Sequence, residues 1–295
     1  MKTPHFVLSL MLVVAMVLSL AACSGSSSSP APAAVSAAAS SEAASSAAVS
    51  EAAASSAAAP EAAPASPLTE ESPDGIHSSI QRVEPSPDWV ANLEAAQDEN
   101  TKQLFVVTAI SMDTTTAYIS MHQRDENGQW MQLLSTPGYV GKNGLCLDAD
   151  HVEGCGQTPV GTYHFNKAFG IAPDPGTAFE YTQVTDDTYW SGDVREGMHY
   201  NEMVDIKDFP DLDMTNSEHI VDYEYQYQYC LNISFNEDGT PGRGSAIFLH
   251  CLGPVKPWTG GCVSVPENIM KLIMQKVDPG CVVVIDTAEN LGVEF

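Results

Sequence analysis

The chain has 295 residues, with 12 Lys plus Arg against 38 Asp plus Glu, a formal charge of −26. So acidic a balance excludes a nucleic-acid binder, which needs clustered Lys and Arg against phosphate, and excludes direct adsorption of the folded part to anionic lipid. The 44 % hydrophobic content overstates the core, because residues 24–67 are almost wholly Ala, Ser and Pro, with no Leu, Ile, Met or aromatic side chain to offset the entropy of ordering the backbone.

At the N-terminus, Lys2 and His5 precede an apolar run over residues 6–20, interrupted only by Ser9 and Ser19. The run is too short to span a bilayer comfortably and has the layout of a secretory signal. It ends Leu20-Ala21-Ala22-Cys23, which resembles the lipobox of bacterial lipoproteins, where the Cys becomes the acylated first residue of the mature protein. The expectation is a lipoprotein signal peptide over residues 1–22 and a lipid on Cys23. Residues 23–87 then read as a disordered Ala/Ser/Pro-rich linker. The lipid would hold the protein to the membrane, exported and anchored at the outer face of the cytoplasmic membrane, in the cell-wall or periplasmic space.

Residues 68–295 carry 35 acids and 11 bases, a charge of −24, and suffice for one sizeable core or two small ones. Residues 87–96 read as a short helix, with Ser86 as cap and Pro87 in the first turn. Strands are expected at 103–110 and 116–122, rich in β-branched and apolar residues, and at 129–134 after the Glu126-Asn127-Gly128 turn. The segment 186–220 is polar and acidic, and reads as a long loop or lid. Tyr223, Tyr225, Tyr227, Tyr229, Leu231, Ile233 and Phe235 alternate with mostly polar residues, the pattern of one long strand with an apolar face. Together these predict one mainly β domain (α+β, with a few helices) over residues 88–295.

The residues with chemical potential lie between 244 and 278. The apolar run 244–249 predicts a strand buried on both faces that delivers His250. The Gly- and Pro-rich stretch 251–261 is a loop, and Cys262 follows it. Ile269, Leu272, Ile273 and Val277 then mark one face of a helix. Ser264 and Glu267 have capping-box spacing, which would set Cys262 just ahead of a helix N-terminus, where the dipole favours thiolate. A His at a neighbouring strand end completes the nucleophile–base pair that acyl transfer needs, and the backbone around Gly260 and Gly261 offers amides for an oxyanion. Plainer readings stand beside this one. Cys262 and Cys251 are also readable as buried or paired thiols, and His250 as a core His. Zinc shared among His250, Cys251, Cys262 and His151 or Cys155 lacks the usual ligand spacing, so neither a metal nor a cofactor is expected. Cys146 with Cys155 would close a small loop in an exported protein, whereas Cys230, Cys251 and Cys281 sit in apolar strand runs.

Three ordered motifs sharpen the choice: Thr158-Pro159-Val160-Gly161-Thr162-Tyr163, then 244–250 ending in His250, then Thr259-Gly260-Gly261-Cys262-Val263. They resemble the L,D-transpeptidase (YkuD-type) catalytic domain over about residues 103–286. The resemblance implies a β-sandwich fold, peptidoglycan stem peptides as substrate, Cys262 as nucleophile and His250 as its base. The reaction it implies cleaves after the third residue of a donor tetrapeptide through a thioester, which a neighbouring stem's amine resolves into a crosslink. Where many members have His before the Gly-Cys pair this chain has Gly260, and where many have Arg two residues after the Cys it has Ser264. Thr259, Ser264, Tyr200 and Asn201 are candidate substrate contacts. Two alternatives remain open at this level: an L,D-carboxypeptidase in which water replaces the acceptor amine, and a non-catalytic wall-binding lipoprotein.

Overall fold

A computed structural model of the protein describes residues 82–294, together with the backbone pairing of Glu70–Glu71 with Ser78–Ser79. The signal segment, Cys23 and the Ala/Ser tract lie outside the described residues. Two short helices come first, α1 (Asp88–Asn92) and α2 (Glu94–Gln97). They are separated because Leu93 adopts an extended conformation. Ser86 does not cap α1: its hydroxyl is bonded to His122 Nδ1 at 2.9 Å, and no side chain caps the helix.

The principal strands follow in order: β1 (Gln103–Ala109), β2 (Thr116–Arg124), β3 (Trp130–Tyr139), β4 (Leu145–Leu147), β5 (Thr158–Gly170), β6 (Cys230–Ile233), β7 (Phe248–Cys251), β8 (Val263–Val265) and β9 (Val282–Thr287). Helix α3 (Glu267–Lys276) joins β8 to β9, and α4 (Ala288–Leu291) ends the domain. The fold is mainly β with few helices, as the motifs imply. Pairings run β6–β7–β8–β3–β2–β1–β9–β5, and β5 pairs back onto β6, so the path closes on itself. The 13-residue β5 makes this closure. Its Gly161–His164 part pairs with β9, and its Phe165–Phe169 part pairs with β6.

The continuous apolar character of β1 has a direct cause, since both of its faces are covered. Phe105 and Val107 face the main core with Phe165, Leu231, Val263 and the α3 residues Ile269 and Ile273. Leu104 and Val106, on the alternate face, pack with Val90, Leu93 and Ala96 of the N-terminal helices and with Leu291. Burying such side chains contributes about 1.5–3 kcal/mol each.

The structure departs from the sequence pattern in three places. The tyrosine alternation does not form one strand. Ile220–Asp222 and Gln226–Gln228 are short 3-10 turns, and only Cys230–Ile233 is strand. The Tyr227 N–H donates to Tyr223 O at 2.9 Å, and the two rings lie 4.6 Å apart, an i,i+4 contact that a period-2 reading hides. The run 244–249 is strand only from Phe248, because Gly244 and Ala246 sit at φ 125° and 56°. The polar segment 186–220 is not an open loop. Met203–Asp205, Thr188–Trp190 and Glu218–His219 form a small antiparallel sheet. Trp190 of this sheet packs on Phe169 and Phe248 at centroid distances of 5.8 and 4.8 Å. One of the segment's acids, Asp193, is held well below the usual carboxylate range by Arg195.

Candidate active site

Strands β7 and β8 are parallel neighbours, with Leu249 opposite Val263 and His250 opposite Ser264. Side chains alternate along a strand, so Phe248 and His250 share a face with Ser264 and with Cys262, which immediately precedes β8. Cys262 and His250 thus open into one cavity of about 660 Å³, although each is only 6 % exposed. Gly260, Gly261, Thr259 and Ser264 also line it.

The cysteine is placed by the loop before it. Gly261 has φ 152°, and a Cβ there would meet Gln157 O at 3.0 Å, so the position requires glycine. Thr259 Oγ1 donates to Cys262 O at 2.6 Å and accepts the Gly261 N–H at 3.2 Å. Thr158, the first residue of its motif, donates to Gly261 O at 2.6 Å. The Thr259 hydroxyl is therefore spent on the backbone that holds Cys262 and faces the chain, not a ligand. The Gly261 N–H expected at an oxyanion is likewise engaged by Thr259.

Cys262 Sγ donates to Ala246 O at 3.1 Å and accepts the Phe248 N–H at 3.3 Å. His250 Nδ1 lies 2.7 Å from Cys251 O. A carbonyl only accepts, so Nδ1 carries the proton and Nε2 keeps its lone pair. Burial pushes the Cys262 thiol well above its ordinary value, with the Glu218 carboxylate adding to the shift, and pushes His250 down to about 4. Near pH 7 the resting pair is a neutral thiol beside a neutral imidazole. The helix-dipole argument for a thiolate fails here, because β8 lies between Cys262 and α3, and Pro266 caps α3 without a side-chain bond. Ser264 belongs to β8 and is not a helix cap.

Tyr200 and Asn201, expected at the substrate, do not line the cavity. Both are buried beneath the strained loop that supplies Ala246. Asn201 Oδ1 accepts from the Ala246 N–H at 2.9 Å and from Trp190 Nε1 at 3.0 Å, while its Nδ2 donates to Phe235 O and Asn236 O. Tyr200 OH accepts the Gly244 N–H at 3.2 Å. Asn201 thus holds Ala246, a non-glycine at positive φ that costs on the order of 1–3 kcal/mol, and Tyr200 holds the neighbouring Gly244. The sequence pattern missed Glu218 and Tyr227, which do line the cavity; the only cue was the spacing of Tyr223 and Tyr227. Tyr227 packs against His250 with centroids 5.4 Å apart, and its hydroxyl donates to Glu218 Oε2 at 2.7 Å.

Cys146, His151 and Cys155 bring their potential ligand atoms within 4.8 Å of one another. His151 is a poor metal ligand in this arrangement. Its Nδ1 lies 2.9 Å from Arg243 O and its Nε2 3.1 Å from Gln157 O, so each nitrogen faces a carbonyl oxygen, and a neutral imidazole donates to one of the two. The six cysteines among the described residues are unpaired. Among those residues no helix is long and apolar enough to cross a membrane.

A cysteine directly ahead of β8 and a tautomer-fixed histidine on β7 thus share one cavity of a closed β framework. The family model of the L,D-transpeptidase catalytic domain matches residues 124–285, more than half of the chain, and the chain belongs to that family. Enzymes of the family act on peptidoglycan peptides. Searches of curated proteins and of solved structures returned no match.

Proposed function

We propose that the protein is a cell-wall L,D-transpeptidase that forms peptidoglycan crosslinks through a Cys262 thioester, with His250 as general base. The observation that carries this reading is the shared face of β7 and β8. It sets Cys262 and His250 in one cavity with His250 Nε2 left as the proton acceptor. Substrate entry displaces water and draws the thiol from Ala246 O toward Nε2. As Sγ attacks the carbonyl carbon of the third stem residue, its proton passes to Nε2. The backbone N–H of Cys262 is the donor assigned to the developing oxyanion. The bond to the terminal D-Ala then breaks, and Nε2 returns the proton to the departing amine. An acceptor amine attacks the thioester, loses its proton to Nε2 and forms the new amide, and that proton restores the thiol. The exported location and the lipid at Cys23 belong to the same proposal, and a tether there would let the domain reach into the wall.

Incubating the protein with purified tetrapeptide muropeptides and separating the products by mass tests the reading. Crosslinked dimer is the expected product. Tripeptide alone would mean hydrolysis in place of transfer. If neither product exceeds that of Cys262→Ala, the enzymatic reading is wrong.

A further inference from the structure

The mechanism leaves one charged group of the cavity without a task. Glu218 ends the small sheet of the polar segment, and antiparallel pairing of Trp190 with Glu218 fixes its backbone. Its carboxyl lines the cavity that holds Cys262 and His250. The other acid in that wall, Glu153, is satisfied by two hydroxyls, Tyr200 OH at 2.5 Å and Ser245 Oγ at 2.8 Å. The wall's lysine, Lys256, lies over the Trp258 ring at 4.7 Å. Glu218 has the Tyr227 hydroxyl on Oε2, and among the described residues no cation forms an ion pair with it.

A partly buried carboxylate with one neutral donor is costly as an anion. Burial accordingly pushes Glu218 up to about 7. The same anion raises the Cys262 thiol, and it also raises Tyr227 and Tyr223. A cation in the cavity relieves both penalties at once. We propose that Glu218 is the receptor for an ammonium group on the donor peptide, and that filling this position makes Cys262 a better nucleophile. The inference rests on the reading of Cys262 as the acylated residue and adds to it a residue that holds the donor and an activation step. Because coupling between sites is reciprocal, whatever the ammonium contributes to the thiolate, the thiolate returns to ammonium binding.

The test uses Glu218→Gln, which keeps the shape and the Tyr227 contact, with Glu218→Asp as the charge-retaining control. Two tetrapeptide donors are compared by mass spectrometry of the thioester, one with a free side-chain amine on the third residue and one with that amine acetylated. The wild type is expected to favour the free amine by about tenfold, a usual size for coupling between sites. Glu218→Gln loses that preference and Glu218→Asp keeps it. Alkylation of Cys262 by neutral iodoacetamide without substrate is the second readout. It should rise several-fold in Glu218→Gln, since the repelling charge is gone, so one substitution moves the two readouts in opposite directions. A wild type indifferent to acetylation, or a Glu218→Gln protein with undiminished preference, overturns the proposal. Absence of any thioester with either donor overturns the underlying reading of Cys262. In that case the alkylation rates still report whether Glu218 and Cys262 are coupled.

Discussion

The two walls of the cavity are built differently. One rests on β7 and β8, where parallel register fixes His250 and positions Cys262 directly ahead of its strand. The other comes from the short strand Glu218–His219 and from the 3-10 turns at Ile220–Asp222 and Gln226–Gln228, which present Glu218 and Tyr227. On the proposed mechanism the bond-forming groups, which need sub-ångström placement, sit on or directly beside paired backbone, and the groups that sort ligands sit on an irregular mount. Changes to the first wall should therefore abolish chemistry, and changes to the second should alter which substrate is used.

The largest effect is expected from Cys262→Ala and His250→Gln. Either should lower thioester formation by about 10³-fold or more, with little change in far-UV circular dichroism. Retention of a carbapenem adduct in Cys262→Ala would show that another thiol is the nucleophile. Next comes Asn201→Ala, which leaves four backbone and indole bonds unmade around Ala246 and Phe235. Denaturant melts should show a loss of about 2–4 kcal/mol, because buried polar groups are orphaned. Acylation should fall with it as the Ala246 carbonyl drifts from Sγ. If stability drops while acylation per folded molecule is unchanged, the strained loop has no part in placing the thiol.

The third expectation concerns pH. His250 must be neutral to accept the Sγ proton, and burial has moved it from its unfolded value near 6.5 down to about 4. In Glu218→Gln, where the other titrating group of the cavity is removed, the acylation rate should therefore hold between pH 7 and 5, where an unshifted His loses about tenfold or more. It should fall only as the pH approaches 4. Stability falls in the same direction but over a wider range. A base with a lowered folded pKa binds protons first in the unfolded chain, so its contribution is present above about 6.5 and lost as pH falls toward 4. His122, buried and lowered to about 3, adds a loss of the same sign that extends further. A melt series with its optimum below pH 5 would contradict both assignments.

How much of this was legible in the sequence follows from the range of the interactions involved. Strands β1, β2 and β3 were visible because local composition and the Asn127-Gly128 turn act over a few residues. The three motifs were visible as words, but not how they meet: Thr158 grips Gly261 O across 103 residues of chain. The tyrosine pattern misled because periods of 2 and 4 coincide at Tyr223 and Tyr227. Only tertiary packing of Tyr227 on Phe248 and His250 decides for the turn. The capping box misled because Ser264 was claimed by the β8 pairing with Tyr139 of β3. Glu218 was invisible because eight other acids crowd residues 186–211, and nothing local marks the one that reaches a cavity.

The smallest expected effect comes from one of two adjacent glycines, Gly260, set against Gly261. An alanine Cβ at Gly261 meets Gln157 O at 3.0 Å and Ile247 Cδ1 at 3.2 Å on a backbone that L residues rarely adopt. Gly261→Ala should cost about 1–3 kcal/mol and shift Cys262 with it. At Gly260 no atom lies within 4 Å of the added carbon and φ is not positive, so Gly260→Ala should change stability by less than about 0.5 kcal/mol. Acylation of the wild type and of Gly260→Ala should then agree within about twofold, as judged by single-turnover thioester formation. A larger loss at Gly260 would mean that this position needs bare backbone for a ligand and not for the fold. That result would move it from the cavity rim to the list of groups the donor touches, and the first wall would then extend one residue beyond the strand pair.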